Sequence, residues 1–162
     1  MGYMTAAWLG FGAAVAAVAG TLTGLLFVAV SIKSDVLAGS RSLSSRAAQT
    51  LVLFMTSVLI GLLLTVPQPR AAVGPELLTL AAISGAFLLI LDRRAGHHTE
   101  ERVARYIERF SPNSITDVLV GIGGLTFIVK AGGGLYWIVP AVVASLVGGV
   151  INAWLFLVKV TG

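Results

Sequence analysis

The stretch TAAWLGFGAAVAAVAGTLTGLLFVAVSI, Thr5–Ile32, carries no charged side chain from end to end. As a helix it would be roughly 42 Å long at about 1.5 Å per residue, against a bilayer hydrocarbon core of ~30 Å. A run of that length and character reads as a transmembrane helix that tilts or projects past the membrane surface. No Lys or Arg precedes it, and it is about twice as long as the apolar region of a secretory signal. It is therefore expected to be a retained first helix rather than a cleaved leader.

Working outward, four more apolar stretches follow: Ala47–Val66, Pro75–Leu91, Ser114–Val129 and Leu135–Val158. Pro67 and Pro69 stop the second, because proline lacks the N–H that a continuing helix needs. Pro75 suits the first turn of the third, where a missing N–H costs nothing, and Glu76 beside it would meet the positive end of the helix dipole. The fourth stretch is short and rich in glycine. Its 16 residues, Ser114–Val129, give about 24 Å, which spans where the bilayer thins. The expected fold is all-α: one transmembrane domain over residues 1–162, with about five spans and one interfacial amphipathic helix.

Composition agrees. Hydrophobic residues make up 57% of the chain and charged residues 11%, with a mean hydropathy of +0.95. Soluble domains carry about 25% charged residues, so a water-soluble fold could not cover this much apolar surface. The net charge of +4 is not read as a nucleic-acid footprint, since the basic residues sit in loops beside apolar segments and match topology and anionic lipid better. The absence of cysteine excludes disulfides, thiolate metal sites and a cysteine nucleophile.

The one long polar segment is 92–113. Val103, Tyr106, Ile107 and Phe110 recur there at helical spacing, with Arg102, Arg105, Glu108 and Arg109 largely opposite. That pattern predicts a short helix lying in the headgroup region. Ser111-Pro112-Asn113 would end it, and Ser114 with Asp117 would form a capping box for the fourth span.

Charge orients the bundle. Lys33, Arg41, Arg46, Arg93, Arg94, Arg102, Arg105, Arg109 and Lys159 fall on one side, and Arg70 and Lys130 on the other. By the positive-inside rule the N-terminus is outside and the C-terminus inside. Tyr3, Trp8, Tyr136 and Trp137 near the outer face and Trp154 near the inner face read as aromatic belts. A rival topology gives the same charge count: the fourth stretch as a re-entrant loop turning at Gly132-Gly133-Gly134. An echo between Gly24-Leu25-Leu26-Phe27 and Gly124-Leu125-Thr126-Phe127 is too weak to count as an inverted repeat.

Few residues stand out as functional candidates. Gly12, Ala16, Gly20 and Gly24 recur every four residues, a stripe of the kind that lets helices approach closely in lipid. It reads either as a homo-oligomer interface or as a contact within one bundle. Ala141, Ser145, Gly149 and Ala153 repeat the pattern in the fifth span, so the two could pack against each other. Thr50, Ser57, Gly61 and Thr65 share one face of the second span. Their hydroxyls either line a polar pathway or bond carbonyls and neighbouring helices. Asn152 is the most interior strongly polar side chain and needs a partner; Thr21, Thr23 and Ser57 are the candidates, with a solute site as the alternative.

Ionisable residues keep to span ends: Lys33, Asp35, Asp92, Asp117, Lys130 and Lys159. That argues against a proton-coupled transporter or voltage sensor, which need buried charge. Lys33, Asp35, Asp92 and Asp117 form one cytoplasmic set, read as interfacial anchors and a cap. His97 and His98 are adjacent with no third ligand evident, so no metal and no cofactor is expected. No nucleophile elbow, phosphate-binding glycine loop or HExxH is present, and the chain is not read as an enzyme.

Three runs carry a resemblance: GTLTGLLFVAVSIKSD (Gly20–Asp35), RAAQTLVLFMTSVLIGLLLTVPQ (Arg46–Gln68) and GGGLYWIVPAVVASLVGGVINAWLFLV (Gly132–Val158). Together they resemble a family of small, uncharacterised bacterial multi-pass membrane proteins. The resemblance implies a place in the bacterial inner (plasma) membrane and nothing about function. Two functions are expected from the residues. One is a homo-oligomeric pore or channel for ions or a small solute, lined by the second span's hydroxyls or the fourth span's glycines. The other is a non-catalytic accessory or scaffold subunit that binds another membrane protein. No TVGYG-like filter is present, which weakens the first, but the glycine and Ser/Thr stripes exceed what one small bundle needs, and the pore is the preferred reading with the accessory subunit as the alternative. The expected partners are the bilayer and further copies of the chain.

Overall fold

The computed structural model describes residues 2–35, 39–95 and 112–161. Five α-helices carry the fold among them: α1 (Leu9–Ile32), α2 (Arg41–Thr65), α3 (Arg70–Ala95), α4 (Pro112–Val129) and α5 (Ile138–Thr161). Single 3-10 turns, Thr5–Trp8 and Gly134–Trp137, lead into α1 and α5. Four segments are long and apolar enough to cross a bilayer: Thr5–Ile32, Leu43–Thr65, Arg70–Leu91 and Gly134–Leu155. The protein is a membrane-embedded helical bundle. Large apolar side chains accordingly face outward, among them Phe27 at 66% and Ile32 at 73% exposure, where lipid rather than water is their natural surrounding.

Helices α2, α3, α4 and α5 close a ring in chain order, with α5 returning to α2; α1 lies outside it, packed along α2 and barely touching α5. Each neighbouring pair is antiparallel. Gly12 of α1 meets Gly61 and Leu64 of α2, Gly74 of α3 meets Gly124 and Ile128 of α4, and Gly149 of α5 meets Phe54 of α2. Ile60, Leu77, Leu135 and Ile138, all fully buried, belong to the apolar centre of the ring.

Helix α4 runs along α3 from Asp117 opposite Gly85 to Ile128 opposite Gly74. It delivers the chain to the end of the bundle where α1 begins: Leu135 N donates to Gly2 O at 2.9 Å. The helix thus runs the length of its neighbour without turning back within the bundle. At 18 residues the helix is about 27 Å long, just under the ~30 Å core.

Several boundaries differ from the sequence-based expectation. Helix α2 begins at Arg41 rather than Ala47, since buried Ser45, Ala47 and Thr50 give its polar first turns a packed side. Helix α3 begins at Arg70, so Pro75 lies inside it and not in its first turn. Pro75 forfeits one ladder hydrogen bond there. The dipole argument for Glu76 fails with it: Glu76 sits in the second turn, and its Oε2 is buried without a hydrogen-bond partner. Helix α4 starts at Pro112, a residue suited to the first helical position. Ser114 therefore lies inside the helix and does not cap it. The proposed interfacial helix over 92–113 is not bounded as expected either: 92–95 continue α3, and 112–113 open α4. Residues 96–111, with His97 and His98, lie outside the described residues.

Candidate functional site

Two of the three candidate hydroxyls of α2, Thr50 and Ser57, are buried in packing, and Thr65 is half-buried. Ser57 is fully buried and donates to Ser145 Oγ of α5 at 2.9 Å; Ser145 in turn donates to Leu53 O of α2 at 2.8 Å. Two serines thus stitch α5 to α2 with one donor each. Thr50 is buried and donates to Arg46 O at 2.9 Å, one turn back on its own helix. Thr56 does the same to Val52 O at 2.8 Å, and Thr65 to Leu62 O at 2.8 Å. In a dry interior this is how a hydroxyl satisfies its proton without a neighbour.

Asn152 is half-buried, and no described residue is its hydrogen-bond partner. The suggested partners are occupied: Ser57 by Ser145, Thr21 by Ala17 O at 2.9 Å and Thr23 by Ala19 O at 2.8 Å.

The α1 stripe divides in two. Gly12 and Ala16 are used inside the subunit. A Cβ on Gly61 would come within 2.6 Å of Gly12 O and Ala16 N, and one on Gly12 within 2.8 Å of Gly61 O. Gly20 and Gly24 are exposed, and a Cβ on either would meet nothing within 4 Å. The reason is geometric. Four residues turn a helix by about 400°, so a four-residue stripe drifts about 40° per step and winds off a straight neighbour. The buried residues of α1 are Gly12, Val15, Ala19 and Leu26, spaced by three, four and seven, which holds one side. The α5 stripe packs on α2 and not on α1, the other pairing open to it. Ser145 and Gly149 face α2, and Gly149 lies so close to the Phe54 ring that a Cβ would overlap it.

The set of Lys33, Asp35, Asp92 and Asp117 is not one site. Asp35 is exposed, and Asp117 is occupied by Ser84 of α3, whose Oγ lies 2.5 Å from Asp117 Oδ1. The Asp117 carboxylate rests over Gly85, where a Cβ would lie 3.4 Å from Oδ2. The side chain of Asp92 is outside the described residues. Among the described residues no group of three His, Asp or Glu side chains has a metal-binding arrangement.

One constellation at the α1-start end is absent from the sequence reading. After α4 the chain turns through Lys130 at φ 57° and three glycines at φ 83°, 109° and 60°. Ala131 N reaches back to Thr126 O at 3.3 Å, the six-residue closure of a Schellman ending. Positive φ at three successive positions is open to glycine at no steric cost. Gly133 N donates to the Tyr3 hydroxyl at 3.0 Å, and Trp137 Nε1 donates to Gly132 O at 2.7 Å. The Tyr3 and Phe127 ring centroids are 6.0 Å apart, and Trp8 stands edge-on to Tyr136 at 5.2 Å. Trp8 is therefore a core residue, 8% exposed, rather than a belt residue, whereas Trp154 on α5 is 67% exposed. The arm before α1 thus ties the peripheral helix to the α4–α5 turn. The only sequence signal for it was the unusual Gly132-Gly133-Gly134 run beside an aromatic pair.

No protein-family model matches the chain, no curated protein matches its sequence, and no solved structure matches its fold.

Proposed function

We propose that the protein is a non-catalytic, self-associating membrane subunit whose α1 packs outward against a second copy. The observation that supports this is the exposed side of α1. Gly10, Gly20 and Gly24 have nothing within 4 Å of a Cβ position, and Ala13 and Ala17 are exposed between them. The order 10, 13, 17, 20, 24 alternates steps of three and four, so these residues stay on one side of the helix. Small residues on one side let two helices approach closely in lipid.

Gly20→Leu and Gly24→Leu are expected to abolish the oligomer in native mass spectrometry and cross-linking. Both should leave the thermal stability of the subunit close to wild type, because neither residue touches its own bundle. Leucine variants that oligomerise normally would sink the proposal. A heteromeric scaffold would show the same exposed side but a monomeric purified protein.

A pore is the rival reading. Ser57 and Thr50 are buried against neighbours, so a pathway through one subunit lined by the α2 hydroxyls is not favoured; a pore would have to run between copies. Flux across a panel of ions in protein-loaded liposomes, above that of empty liposomes, would favour the pore.

The same proposal places the protein in a bacterial inner membrane, on the resemblance stated above, with the N-terminus outside. Nine Lys/Arg against two support that orientation (Lys33, Arg41, Arg46, Arg93, Arg94, Arg102, Arg105, Arg109, Lys159 against Arg70, Lys130). A reporter that works only in the cytoplasm should be active when fused after Gly162. Activity of an exterior-only reporter at that position would invert the topology.

A further inference from the structure

Three oxygens surround the hydroxyl of Ser84: Leu80 O at 2.9 Å and Ala81 O at 3.3 Å on its own helix, and Asp117 Oδ1 at 2.5 Å on α4. A serine hydroxyl has one proton and two lone pairs. Thr21, Thr23, Thr50 and Thr56 spend that proton on the carbonyl one turn back, with no carboxylate competing. At Ser84 the short gap to Asp117 holds a proton, and the hydroxyl has only one to give, either to the carboxylate or to a carbonyl of its own helix.

Two arrangements satisfy the count. With Asp117 ionised, Ser84 donates to the carboxylate. With Asp117 protonated, the carboxyl donates to Ser84 Oγ and Ser84 donates to Leu80 O. The contact between α3 and α4 survives in both, and only the donor changes. A metal ion does not fit the bridge: even Mg²⁺ holds each oxygen at about 2.0–2.1 Å in an octahedron, which keeps neighbouring oxygens roughly 2.9 Å apart.

We propose that Asp117 and Ser84 form a proton-binding site between α3 and α4, in which Ser84 turns from donor to acceptor as the carboxylate takes up a proton, so the helices stay joined in both states. The proton comes from water and forms one O–H bond on the carboxyl; nothing else is gained or lost. Asp117 lies five residues into α4, about 7.5 Å along the helix from its start and one turn from exposed Ser114. Ser84 itself is only 4% exposed. Other charged groups of the packed helices stand apart along the chain. On α3, Glu76 lies more than two turns toward the opposite end, and Asp92, Arg93 and Arg94 about two turns or more the other way. Arg46 at the start of α2 is exposed, and Tyr136 precedes α5 at the far end.

The test is infrared spectroscopy of the full chain in liposomes, with carbon-13 in the aspartate carboxyls, over a pH titration. A protonated-carboxyl band is expected that disappears in Asp117→Asn and persists in Asp35→Asn and Asp92→Asn. In Ser84→Ala the same band should move to the higher frequency of a carboxyl without an acceptor. Ser84→Cys, close in size and a weaker acceptor, should move it part of the way and guards against a folding defect in the alanine variant. A titration without an Asp117-dependent band, or a band unmoved in both Ser84 variants, overturns the proposal and leaves a fixed interhelical hydrogen bond.

Discussion

Gly61→Leu is expected to separate α1 from α2 and to be the most damaging single change in the bundle. At Gly61 the two backbones lie close together: a Cβ there would lie 2.6 Å from both Gly12 O and Ala16 N and 2.9 Å from Ala16 Cβ. Two of those three neighbours are backbone atoms, so no side chain can turn aside. Overpacking a dense interior costs about 1–3 kcal/mol, occasionally more, and this site belongs at or above the top of that range. The measurement is denaturant or thermal unfolding in mild detergent, with Gly20→Leu as the matched control. The same added volume at Gly20 meets nothing, and its effect should stay within about 0.5 kcal/mol, as for surface changes generally. Equal midpoints for the two variants would mean that α1 is not held against α2 as described. Gly61→Ala should lose less but still more than Gly20→Leu, because even one methyl meets backbone.

Ser57→Leu is expected to loosen α5 from α2, at a cost of about 1–3 kcal/mol of overpacking, plus the lost hydrogen bond to Ser145. Ser57→Ala removes only that bond. Interhelical hydrogen bonds in membranes average about 0.6 kcal/mol by double-mutant cycles, so the alanine variant should fall well short of the leucine one. Ser145 keeps its own donation to Leu53 O in both, which is why no buried proton is stranded. Unfolding midpoints of the pair, with Ser145→Ala to close the cycle, check this. A leucine variant of wild-type stability would put Ser57 on an open surface instead of between two helices, and would revive the α2 hydroxyls as the wall of a pathway.

These two sites show what kind of information the chain exposes to a reader. Gly61 was visible as a small residue among hydroxyls on α2, and Gly12 and Ala16 as members of a stripe on α1. Their meeting was not visible, because a stripe states that a close neighbour is possible and not which helix supplies it. The drift of about 40° per four residues then divided the stripe, leaving Gly20 and Gly24 outside. The serines followed the same rule. Ser57 and Ser145 each sat on a recognisable small-residue side, yet 88 residues separate them and only the antiparallel approach of α5 to α2 pairs them. Asp117 was misread for a related reason. Its spacing from Ser114 matched a cap, but the helix starts at Pro112, and the carboxylate found Ser84 on another helix.

The sequence by itself determined that this is a helical membrane protein, roughly where each span lies, and where most helices stop. Those properties depend on residue type alone: apolar length against bilayer thickness, and proline's missing N–H at Pro67 and Pro69. Tertiary structure alone decided that α1 stands outside a ring of four, that α4 runs along α3 to the other end of the bundle, and that Trp8 belongs to the core. It also decided which small residues are spent within the subunit and which remain outside. Lipid offers every apolar surface the same welcome, so hydrophobicity cannot choose between helix faces. The choice falls to shape and to single hydrogen bonds, such as Gly12 against Gly61 or Ser57 to Ser145, and these exist only once distant segments lie side by side.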